Sequence, residues 1–168
     1  LTALVCRVDD PSWREKYGED GTRQALSRAK RFWPGPRSNV LKAKRSVRGF
    51  VRAGGKTVSL RGPDHPLTLE LLQKAQLPLA APSANPSGEP SPKNAAKVVE
   101  YFDGKISAVL DGGECGIGTE STIIDMSEAP YKILRRGALS EERIAQALSD
   151  ELTVFGITGG TGSGKTTV

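Results

Sequence analysis

From Leu77 to Phe102 the chain passes from an apolar run, "LPLAAP", through a loop crowded with Ser, Pro and Asn, "SANPSGEPSPKN", into the amphipathic "AAKVVEYF". The first has the composition of a buried strand, and Pro82 forbids further pairing. The last reads as a helix, with Ser91 as a good N-cap and Pro92 at the first helical position. A strand handed by a stiff loop straight to a helix calls for helices packed on a sheet.

The rest of the chain interleaves in the same way. Strand patterns cover "LTALVCRV", "SNVLKA", "KTVSLR", "ISAVLDGG", "STIIDM", "YKILRRG" and "LTVFGIT", with "AGG" at Gly54 and Gly55 as a turn. Helical patterns cover "TRQALSRAKRFW", stopped by "PGP", then "HPLTLELLQKAQ", and "SEERIAQAL" capped by Ser140. Glu141 and Glu142 sit favourably at the N-terminus of that last helix. The expected class is α/β (α+β), a twisted mixed sheet flanked by helices.

With 168 residues there is room for one ordinary domain and no second complete one. No apolar run approaches bilayer length, so no membrane partner is expected. Cys6 and Cys115 are too few for a disulfide scaffold or a zinc cage, and they read as reduced cytosolic thiols. The net charge of +5 is unevenly placed, because residues 21–63 carry twelve Lys or Arg and no Asp or Glu. Such a stretch attracts RNA or nucleotide phosphates. The alternative is a solvated basic face without a partner.

Three clusters could carry chemistry. The loop after "LPLAAP" offers the Ser83 hydroxyl, the Asn85 carboxamide and backbone N–H groups, which suits a polar small molecule; an ordinary turn is the alternative. In "GIGTESTIID" the glycines permit close approach, and Ser121 and Thr122 can bond a carboxylate or phosphate oxygen; a glycine-rich hairpin is the alternative. In "ILRRG", Arg135 and Arg136 diverge if the segment is a strand, so only one can share a site with Ser121. His65, before Pro66, reads as a cap or surface residue. No catalytic residue and no metal cluster can be assembled, which favours positioning and electrostatics over covalent catalysis.

Together "FWPGP", "TVSLRGPDHP", "PLAAPSANPSGEPSP", "LDGG", "ESTIID" and "ILRRG" resemble, in order and spacing, the YrdC-like threonylcarbamoyl-AMP synthases over roughly residues 1–145. The resemblance implies the YrdC-like fold and a cytoplasmic nucleotidyltransferase. That enzyme joins threonine, bicarbonate and ATP into threonylcarbamoyl-adenylate, with Mg2+ accompanying ATP, for threonylcarbamoyladenosine in tRNA. By the same resemblance Thr57, Ser83, Asn85, Ser91 and Arg135 would bind ATP, and Arg61, Ala81 and Ser121 would bind threonine. It also implies tRNA or double-stranded RNA on the basic surface and downstream tRNA-modification proteins as partners. The family's P-T-[DE]-T-x-Y-G segment and K-x-R pair would fall before residue 1. Arg37 and Asn39 stand where the family is less polar, which suggests drift on a partly exposed strand.

At the other end Gly159, Gly160, Gly162, Gly164, Lys165 and Thr166 form "GGTGSGKT", a phosphate cradle of glycine N–H groups, lysine and hydroxyl. Its surroundings are similar to the start of dephospho-CoA kinases. The expected organisation is therefore a partial synthase domain over residues 1–148 and the truncated start of a P-loop kinase over 152–168. Two other readings stand beside synthesis: an RNA-binding module of the same fold, and a bifunctional protein whose other activity is dephospho-CoA kinase.

Overall fold

The computed structural model describes residues 3–7 and 33–149. Among these, six strands and three helices follow in the order β1 (Ala3–Val5), β2 (Arg37–Lys42), β3 (Thr57–Arg61), α1 (Pro66–Ala75), β4 (Leu79–Ala81), α2 (Ala95–Phe102), β5 (Thr122–Asp125), β6 (Lys132–Arg135) and α3 (Glu141–Ser149). The strands make one mixed sheet, β4-β1-β3-β2-β5-β6. β1 runs parallel to β3 and β2 to β5, while the other neighbours are antiparallel. The expected helix over residues 22–33, the strand "LTVFGIT" and the phosphate cradle at 159–166 lie outside the described residues.

Alternation divides the sheet into two unlike faces. On one side Leu4, Leu41, Val58 and Leu60 join Trp33 and Val47 in a buried core, which Ile124, Leu139 and Ile144 continue beneath α3. The Thr122 hydroxyl locks this second part by donating to the Leu139 carbonyl at 3.2 Å and accepting from its N–H at 3.0 Å. On the other side stand Ser38, Ser59, Arg61 and Arg135, the face that concerns function.

Four expectations are corrected. β4 is not a buried strand, since Ala80 and Ala81 are exposed; it is the sheet's edge, paired only to β1. The cap of α2 is Asn94 and not Ser91, because the Asn94 carboxamide oxygen accepts the Lys97 N–H at 3.0 Å and takes the N-cap role. "ISAVLDGG" forms no strand: a strand exists only by pairing, and this stretch has no ladder among the described residues, with Leu110 60% exposed. Arg37 and Asn39 are wholly buried and not partly exposed. Five consecutive residues of β2, Arg37 to Leu41, are buried, so both its faces are covered there, and burial lowers the Arg37 pKa to about 10. The Arg37 carbonyl also accepts from the Trp33 indole at 3.0 Å.

His65 occupies the N-cap position of α1 without a side-chain cap bond. Its ring lies instead against Gly112, where an added Cβ would come within 2.7 Å of the imidazole. Cys6 is buried and Cys115 exposed, and no disulfide joins them. Among the described residues no helix is long and apolar enough to cross a membrane.

Candidate functional site

Ser121 is the hub of the polar face. It precedes β5, is nearly buried, and its hydroxyl lies 3.4 Å from that of Ser38 on the neighbouring strand β2. Arg135 reaches it from β6: Nε and Nη2 donate to the Ser121 carbonyl at 3.1 and 2.9 Å, and Nη2 also donates to its hydroxyl at 3.1 Å. The third guanidinium nitrogen, Nη1, pairs with Glu120 at 2.6 Å. Glu120 in turn accepts from the Ser91 hydroxyl at 3.1 Å, tying the proline-rich loop to the cluster. Arg136 turns the other way and pairs with Glu141.

Arg61 faces this cluster from β3, opposite Ser38 in register. Its pKa is lowered, first by burial and then by the charge of Arg135. Its Nε is buried without a hydrogen-bond partner. Two guanidiniums that repel each other, one engaged by a carboxylate and the other with a spare buried donor, make a place for an oxyanion.

The remaining expected residues spread away from this point. Thr57 shares the face and strand of Arg61 but lies four residues along it, roughly 13 Å off. Ala81 sits on the edge strand, opposite Ala3. Ser83 is exposed just beyond it. Asn85 spends its amide nitrogen on its own loop, donating to the carbonyls of Pro86 at 3.2 Å and Glu89 at 2.7 Å. Its side-chain oxygen is buried with no partner. An open cleft of about 540 Å³ lies between this loop and α2 and touches the cluster through Ser91. The structure thus brings Ser91, Ser121, Arg135 and Arg61 together, and sets Thr57 and Ala81 farther along the strands, with Ser83 and Asn85 in the loop beyond β4.

Three residues of the cluster escaped the sequence reading. Ser38 is visible only once β2 and β5 are known to be neighbours. Glu120 stands in "ESTI", where nothing local marks it as the partner of Arg135. Gly137 closes "ILRRG" against the backbone of the site: a Cβ there would lie 2.6 Å from the Ser121 carbonyl carbon and from the Thr122 nitrogen, and closer still to the Glu120 carbonyl oxygen.

Comparison with known proteins places the chain in a family and its fold among solved structures. The sequence pattern of the family described as "Telomere recombination" (Sua5, YciO and YrdC) matches residues 2–137. The chain is 47% identical over 147 residues to a threonylcarbamoyl-AMP synthase of Pyrococcus abyssi, and 41% identical over 142 residues to one of Bacillus subtilis. These matches cover 88% and 84% of the chain but only 43% and 41% of the relatives, so the chain spans less than half their length. The crystal structure of P. abyssi Sua5 complexed with L-threonine superposes with a TM-score of 0.80 at 41% identity, over 86% of this chain and 43% of that one. Escherichia coli YciO, at 22% identity and a TM-score of 0.70 over 81% of this chain and 65% of that one, shares the fold.

Proposed function

Since the chain belongs to the Sua5/YciO/YrdC family, we propose that its polar sheet face forms threonylcarbamoyl-adenylate from threonine, bicarbonate and ATP, a nucleotidyl transfer that releases pyrophosphate. The observation that carries this reading is the convergence of Ser121, Arg135 and Arg61, with like charges and a spare buried donor, on one part of the polar face. The threonine carboxylate is the matching group. Its carboxylate accepts from the Arg61 guanidinium and the Ser121 hydroxyl, while Arg135 holds that serine in place. ATP runs from Ser91, beside this cluster, toward Thr57 and the loop of Ser83 and Asn85. Magnesium accompanies the phosphates of ATP. The setting is cytoplasmic and the product serves tRNA modification.

Ser121→Ala in the intact protein tests this. It removes one donor and leaves the backbone contacts of Arg135, so threonine affinity is expected to fall roughly tenfold with threonine-dependent pyrophosphate release. Unchanged kinetics would rule out Ser121 as the threonine site.

A second reading, RNA binding, is favoured by the connection between β2 and β3. Lys42, Arg45, Arg48 and Lys56 are exposed there, and Phe50 stands 78% exposed among them. Cations beside an open aromatic ring suit a phosphate backbone and an unstacked base. Reversing the charges of Lys42, Lys44 and Arg45 should weaken binding of tRNA or double-stranded RNA and flatten its salt dependence. Affinity that survives the reversal unaltered would remove the reading. The kinase start at residues 159–166, with dephospho-CoA as its substrate, rests on its motif.

A further inference from the structure

Ser59 lies in the middle of β3, between Thr57 and Arg61 and on the same face as both. It is only 5% exposed, and its hydroxyl has no hydrogen-bond partner. The surroundings explain why. Across β2 it pairs with Val40, and the parallel register of β1 brings Ala3 beside it, with Ala81 paired to Ala3 on the strand beyond. None of these side chains can accept or donate. A buried hydroxyl without a partner is unfavourable, and natural folds keep few of them. This one lies on the polar face, between Thr57 and Arg61, where a ligand would supply the missing bond.

We infer that the Ser59 hydroxyl is a substrate contact, donating to the carbamate oxygen at the junction between the threonine-derived and nucleotide parts of the bound adduct. This rests on the synthase reading above, because it takes Arg61 as the amino-acid end and Thr57 as the nucleotide end. Ser59 is two residues from each, roughly 7 Å along the strand, where the two halves must meet. The hydroxyl remains intact throughout and forms no covalent bond. Its contribution is directional: it fixes the planar carbamate between the two ends.

Ser59→Ala in the intact protein is the test, read by threonine-dependent pyrophosphate release and by thermal unfolding. The expected result is a kcat reduced about fivefold to tenfold, KM values for threonine and ATP near those of the wild type, and an unfolding temperature equal to or above it. The last follows because alanine removes a buried polar group that the free protein leaves unsatisfied. An unchanged kcat overturns the inference. So does a lower kcat accompanied by a lower unfolding temperature, which marks a structural role, or a rise in one KM alone, which puts the hydroxyl in a single subsite. A wild-type protein that responds to threonine with no pyrophosphate at all overturns the synthase reading and this inference with it.

Discussion

Replacing Gly137 by alanine is expected to destabilise the protein by about 3 kcal/mol and to abolish threonine binding. The added methyl has nowhere to go. It would meet the backbone of Glu120, Ser121 and Thr122, and not the yielding end of a side chain. That backbone is held on both sides: the Thr122 N–H donates to the Pro36 carbonyl at 3.0 Å, and the Glu120 carbonyl accepts from the Ala138 N–H at 3.1 Å. Relief therefore requires moving Ser121, and with it the carbonyl and hydroxyl that Arg135 grips. For a chain of this size the unfolding midpoint should drop by roughly 6–12 °C. Gly116→Ala is the control, because a Cβ there meets nothing within 4 Å and its φ is not in the left-handed region. That variant should be neutral or slightly stabilised by its less flexible unfolded chain. Equal behaviour of the two variants would mean that the close packing at Gly137 does not govern the site.

Arg61→Met should separate binding from stability. The guanidinium sits half-buried against Arg135 with a spare Nε, so the free protein gains by losing it: one like-charge repulsion and one desolvated cation disappear. The unfolding temperature is expected to hold or rise. Threonine affinity is expected to fall roughly 10- to 100-fold, the scale of a charge-assisted bond. Arg61→Lys should fall between, since an ammonium keeps the charge but lacks the planar fork. Guanidinium groups stay charged through the neutral range, so the loss should not vary with pH there. Calorimetric titration of the intact protein with threonine decides it. Affinity that survives in the methionine variant would place the carboxylate elsewhere.

Much of the fold was legible because strands and helices carry their own periods. β2, β3, β5, β6, α1 and α3 fall where alternation, Pro66 and Ser140 put them. The misreadings share a cause, which is that local pattern does not reveal neighbours. "LPLAAP" is apolar enough for a core but ends at the sheet's edge, and "ISAVLDGG" has strand composition without a ladder. Arg37 and Asn39 are polar, yet they sit in the most central strand pair. Ser91 has the residue type of a cap, but the helix begins three residues later, where Asn94 accepts the Lys97 N–H. The same limit applies to the candidate site. Ser121, Arg135 and Arg61 could be named from their motifs. Ser38, Glu120 and Gly137 could not, because their roles come from contacts across strands and loops far apart in the chain.

The arginine cluster and the proline-rich loop make opposite demands of whatever lies against both. At Arg61 and Ser121 the protein presents N–H and O–H groups, so the ligand must bring lone pairs. At Asn85 the amide nitrogen is already spent on the carbonyls of Pro86 and Glu89, and the oxygen that remains can only accept. A ligand group must bring a hydrogen there, or a positive charge. A molecule with oxygens at both ends satisfies one terminus and starves the other. A ligand that spans the two therefore has a sense of direction, and one laid down backwards would leave buried donors facing donors.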